Sequence, residues 1–74
     1  MKIKAGDYVV FKPIEQCDNR QNILEFMRSV FDGNAHKVKS CGYHDGWFVV
    51  DDNDGYYYHE CWIDRKLSLE DITI

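Results

Sequence analysis

One proline and five glycines among 74 residues leave no low-complexity or linker-like segment, so the whole chain has to be accommodated in a fold. No apolar run approaches the roughly 20 residues that a bilayer-spanning helix needs. The two lysines of Met1-Lys2-Ile3-Lys4-Ala5-Gly6-Asp7 are followed by no apolar signal stretch, and the expectation is a soluble, cytoplasmic protein with no membrane partner. Three cysteines are an odd number, which argues against a complete disulfide framework. Positive charge is also short: nine Lys and Arg against thirteen Asp and Glu give a net charge of -4. That is the wrong sign for a protein that neutralises phosphates along a duplex, so direct nucleic-acid binding is disfavoured. The same sign suits docking on a basic surface, such as the positively charged channel of a nucleic-acid-handling enzyme.

At this length the chain forms a single domain, residues 1–74, around one small core, too little for a deep enclosed active site. Aromatic residues make up 15%, well above the content of a disordered tail, so the chain is expected to fold. Asp7-Tyr8-Val9-Val10-Phe11-Lys12 is β-branched and aromatic, follows Gly6 and is stopped by Pro13, which removes a ladder donor. It predicts a first strand. Ile23, Leu24, Phe26, Met27, Val30 and Phe31 then recur at spacings of three and four. The spacing predicts an amphipathic helix over about Arg20 to Val30, with Asp18 or Asn19 as cap, Asp32-Gly33-Asn34 as stop, and Phe26 and Met27 packed in the core.

Three more strands are expected at Ala35 to Cys41, Gly46 to Asp51 and Tyr56 to Cys61, separated by the turns Gly42-Tyr43-His44-Asp45 and Asp52-Asn53-Asp54-Gly55. The tail from Leu67 to Ile74 alternates apolar residues at Leu67, Leu69 and Ile72 and offers a last strand beside the first. Four or five short strands with one helix inserted after the first describe a mainly β (α+β) fold, a small, partly open SH3-like barrel.

Three cysteines and three histidines in so short a chain carry the most chemistry. Cys41-Gly42-Tyr43-His44 spaces a thiolate and an imidazole as zinc knuckles do, and His59-Glu60-Cys61 puts two more ligand types on one strand face. With tight turns at 42–45 and 52–55, Cys41 faces Gly46 from one side and Cys61 faces it from the other, leaving room above the glycine. Cys17, on the loop before the helix, supplies the fourth ligand. The predicted cofactor is one structural zinc held by Cys17, Cys41, Cys61 and either His44 or His59, which would add metal-binding free energy to a marginal core. Against it stands the plainer reading of three free thiols in a reducing compartment. His36 is read as structural.

Asp51-Asp52-Asn53-Asp54-Gly55 lacks calcium-loop spacing, and the glutamate such a loop needs twelve positions on is replaced by Trp62, so it reads as a solvated acidic hairpin. Cys41 with His44 has no third orienting group, and no enzyme is expected. Consecutive tyrosines at 56–58 must point to both faces, which exposes some rings beside acids. Asp51, Asp52, Asp54 and Tyr57 are the candidate partner-binding residues, in a monomer or a homodimer that buries the rings.

Gly6-Asp7-Tyr8-Val9-Val10, the helix with Phe26-Met27, Gly33, Val38-Lys39, Gly46-Trp47-Phe48 and Gly55-Tyr56-Tyr57-Tyr58 followed by Trp62 resemble small SH3-like proteins of phages and other mobile elements. The resemblance covers most of the chain and implies a protein-binding module acting in a host cytoplasm. In size, charge and donor set the chain is also similar to the small acidic anti-CRISPR proteins, which implies an inhibitor that binds a Cas9-type nuclease and blocks DNA loading. An adaptor or phage assembly module is the alternative, and a direct nucleic-acid binder on the same barrel is third, with charge against it.

Overall fold

A computed structural model describes residues 3–67. Its five strands are β1 (Tyr8–Phe11), β2 (Ala35–Cys41), β3 (Trp47–Val50), β4 (Tyr58–His59) and β5 (Ile63–Leu67). They form one antiparallel sheet in the order β4-β3-β2-β1-β5, with β4 and β5 as its edges. The mainly β architecture expected from the sequence is therefore present.

β2 is the hinge of the sheet, because its two halves have different neighbours. Ala35 to Lys37 pair with β1, whereas Val38, Ser40 and Cys41 pair with β3 across a register shift. The β1–β5 ladder shifts as well, between Val10 and Phe11. Such irregularities bend strands and increase twist, which lets a short sheet wrap its own core. Val9 and Phe11 of β1, Val38 of β2, and Phe48 and Val50 of β3 point into that core by the two-residue alternation of a strand. Around Phe11 the rings of Phe31, Tyr58 and Phe48 lie with centroids 4.8, 5.2 and 6.0 Å away.

No α-helix occurs among the described residues, a correction to the expectation for 20–30. The chain there forms two 3-10 segments, Arg20–Asn22 and Glu25–Val30, separated by extended backbone at Ile23 and Leu24. Asn19 enters this stretch in the left-handed region at φ 54°, no side chain caps either segment's first residues with an oxygen, and eleven residues lie below the length at which an isolated helix is stable. Core contacts decide instead: Ile23, Met27 and Val30 are buried, and i→i−3 bonds such as Ile23 N–H to Arg20 O and Met27 N–H to Leu24 O suffice to bring them in. Phe26, expected inside, is 71% exposed.

β5, residues 63–67, is launched by a 3-10 turn at Glu60–Trp62 and pairs with β1; of the strand expected at Leu67 to Ile74 only Leu67 is among the described residues. Leu69, Ile72 and Ile74 fall outside the described residues. Trp62, 1% exposed, donates from Nε1 to the Asp18 carbonyl at 2.7 Å and so pins the long 12–34 excursion to this turn.

Candidate functional site

Neither turn that sets the expected ligand geometry is the tight four-residue reversal, and both registers differ from the expected ones. Between β2 and β3 the partners are Cys41 with Phe48 and Ser40 with Val49, so Cys41 does not face Gly46. Between β3 and β4, Trp47 pairs with His59 and Phe48 with Tyr58, one residue away from the expected alignment. A shift of one residue exchanges the two faces of a strand, and with it the argument that Cys41 and Cys61 flank Gly46 is lost. After β3 the 3-10 turn Asp51–Asn53 and Gly55 at φ 105° replace the expected four-residue reversal, and β4 is reduced to Tyr58–His59.

The candidate ligands are therefore dispersed. Cys17 is buried, with Sγ 3.5 Å from the Pro13 carbonyl that it faces as donor. Cys61, half-buried, is its electrostatic neighbour, and burial pushes both thiols up, holding them as SH. Cys41 donates instead to the Ile3 carbonyl at 3.3 Å. His44 is exposed on the 42–46 loop, and His59 accepts the Cys61 N–H at Nδ1, 3.1 Å away. Among the described residues no three His, Cys, Asp or Glu side chains are gathered as a metal ion requires.

The partner-binding residues also divide. Asp51 and Tyr57 are exposed, but Asp52 and Asp54 have partners within the fold: Asp52 meets His36, and Asp54 meets Lys39. His36, buried at 7% exposure, has Nδ1 2.6 Å from Asp52 Oδ2 and Nε2 2.8 Å from Asp32 Oδ1. Burial disfavours the charged imidazole, yet the hydrogen bonds it donates to Asp32 and Asp52 outweigh it and raise the His36 pKa above 6.5. Asp32 is lowered to about 2, first by its bond with His36 and then by the Asn34 amide. The sequence reading misses this cluster. Its signal is present in Ala35-His36-Lys37-Val38, where alternation turns His36 inward beside Val38, with Asp32 four residues earlier.

What the fold does assemble is an aromatic groove. Gly42 and Gly46, both at positive φ, bracket Tyr43-His44-Asp45 and fold that loop back so that Trp47 N–H reaches the His44 carbonyl at 3.1 Å. Ser40 Oγ and the Tyr43 hydroxyl are hydrogen-bonded, which orients the ring, and Tyr57 meets it edge-on at 5.1 Å. Tyr43, His44, Trp47 and Tyr57 line an open groove of about 540 Å³. Trp47 is steadied from below by edge contacts to His59 at 4.9 Å and Trp62 at 5.8 Å, whereas Tyr43 and Tyr57 are about half exposed, 48% and 51%. His44 and Trp47 also border a second groove of about 240 Å³ that holds Asp45 and Glu60. An apolar aromatic floor thus adjoins an acidic wall.

No protein-family model, curated protein or solved structure matches the chain. Among the described residues no helix is long and apolar enough to cross a membrane.

Proposed function

We propose that this chain is a non-enzymatic protein-binding module, and that it docks a basic partner segment in the Tyr43–Trp47–Tyr57 groove. The observation that carries the reading is the ring placement itself: a rigid indole supported from below, two half-exposed tyrosines in mutual contact, and Asp45 and Glu60 next to them. Tyr and Trp give large contact area at low entropic cost, and adjoining carboxylates select positive charge. The strand order, with β2 shared between two half-sheets and a 3-10 turn before β5, supports reading the fold as a partly open SH3-like barrel, the scaffold of the phage and mobile-element proteins that the sequence resembles.

In its most specific form the proposal is an anti-CRISPR inhibitor that occupies the basic channel of a Cas9-type nuclease in the host cytoplasm and blocks DNA loading without catalysis. The net charge of -4 supports this. The test is DNA cleavage at fixed nuclease with rising amounts of the protein, beside direct binding to the nuclease and to DNA. Stoichiometric loss of cleavage, abolished by Trp47→Ala, is expected. Cleavage lost at sub-stoichiometric amounts, or DNA binding without nuclease binding, overturns it, and no effect on any nuclease tried leaves the adaptor or assembly role.

The structural zinc with Cys17, Cys41, Cys61 and His44 or His59 is proposed on donor chemistry alone. Cys17 and Cys61 share a neighbourhood, and metal would have to displace both thiol protons and draw in Cys41 from its bond to Ile3.

A further inference from the structure

His36 sits where three separated parts of the chain meet: Asp32, which ends the long excursion, β2, and the 51–53 turn. Each ring nitrogen is within hydrogen-bond distance of a different carboxylate oxygen. A neutral imidazole carries one N–H and one lone pair, so it satisfies only one carboxylate and turns its lone pair toward the other. The arrangement is complete only when both nitrogens are protonated, and both bonds are then charge-assisted. Protonating a carboxylate instead is opposed at Asp32, whose Oδ1 also accepts the Asn34 amide at 3.0 Å.

The other groups around the ring do not replace these partners. β1 presents the Phe11 ring, centroid 6.2 Å away, and no charged side chain between Tyr8 and Phe11. Glu25 and Arg28 on the 25–30 segment are exposed. Asp51 is exposed at the start of the turn, and Lys39 on β2 is paired with Asp54. Beside the imidazole, Asn53 Nδ2 ties the same turn to the Phe26 carbonyl at 2.7 Å, a neutral link that pH leaves in place.

We propose that Asp32, His36 and Asp52 form a proton-dependent latch that closes the 51–53 turn and the end of the excursion onto β2, and that loses its hold when the imidazole gives up its proton. The raised imidazole value means that the folded chain binds this proton more tightly than the unfolded chain. The stabilisation is therefore complete below the ordinary value of 6.5 and is lost as pH rises through the folded value. At the acid end the sign reverses: the Asp32 contribution is present above 3.8 and is lost as pH falls toward about 2. The latch holds best in the interval between those limits.

Two measurements on the full chain test it. Nitrogen-15 spectra of the histidine rings should show both His36 nitrogens protonated at about pH 6, with a midpoint above 6.5 that falls in Asp52→Asn; a single-proton tautomer at that pH overturns the latch. Urea unfolding from about pH 6 to 9 should show a folding constant that drops about tenfold for each unit by which the folded midpoint exceeds 6.5. His36→Gln should lose that drop, and an identical pH dependence in wild type and variant overturns the proposal. Should His36→Gln fail to fold, the ring-nitrogen spectra of the wild type decide alone.

Discussion

Replacing Tyr58 by phenylalanine removes one oxygen atom from the centre of the protein and little else. Tyr58 is 0% exposed, its hydroxyl accepts from Asn53 Nδ2 at 2.7 Å, and it donates to the Met27 carbonyl at 3.3 Å. The variant forfeits two hydrogen bonds with a net value of about 1 kcal/mol each, so a destabilisation of about 2 kcal/mol is expected. The ring keeps its packing against Phe11, Phe31 and Phe48, which keeps a cavity term out of that figure. In a domain of this size about 2 kcal/mol lowers the melting temperature by about 8 to 16 °C. Urea unfolding followed by tryptophan fluorescence should show the midpoint shift with an unchanged slope. Asn53→Ala, which loses the links to both Phe26 and Tyr58, and the double variant complete a cycle whose coupling should be about 1 kcal/mol. A loss below about 0.5 kcal/mol in Tyr58→Phe, or a coupling of zero, would refute the claim that these polar contacts hold the 25–30 segment to the sheet.

Gly42 and Gly46 both need positive φ, but only Gly46 has neighbours in the way, since a Cβ at that position would meet His59 Nε2 at 2.8 Å. Gly46→Ala should therefore cost about 1 kcal/mol more than Gly42→Ala in urea unfolding, and equal losses would show that His59 swings aside. Where a partner is in hand, Asp51→Lys should slow association and weaken its salt dependence, whereas Tyr57→Ala should mainly speed dissociation in surface-based kinetics. Asp52→Lys is a poor probe of docking, since it also removes a His36 partner. For the zinc proposal, elemental analysis of protein prepared without added metal should give about one zinc per chain, with melting temperature lowered by chelation; a ratio near zero assigns the thiols to packing.

The strands are more legible in the sequence than the joints between them. Ala35–Cys41 is found at its expected bounds, and Tyr8–Phe11 and Trp47–Val50 lie within theirs, because alternation and β-branched residues report burial directly. Turn length is not encoded so plainly: Asp51 to Asn53 coil into a 3-10 turn in place of a simple four-residue reversal, one residue of slip sets His59 opposite Trp47, and Cys61 falls in the 3-10 turn Glu60–Trp62 instead of the expected strand. The same spacing of Ile23, Met27 and Val30 that predicts an α-helix is also served by broken 3-10 turns, and only the core decides between them. At the candidate site, the exposure of Tyr57 follows from strand alternation, but its meeting with Tyr43 depends on two loops that come together only in three dimensions.

The divided pairing of β2 bears on the order in which the sheet can assemble. Its β3 half needs only the five residues 42–46 to close, while its β1 half must wait for the 23 residues 12–34 to fold back. Loop-closure entropy makes the second step about 1.4 kcal/mol costlier than the first. The β2–β3–β4 meander is thus the natural nucleus, with φ-values expected to be high at Val50 and low at Val9. β1 and β5 arrive together and late, and until they do, the β1-facing edge of β2 is bare. A chain that pauses at this stage offers that edge to a second copy of itself, so the residues most exposed to misassembly are ones the finished fold hides in the middle of its sheet.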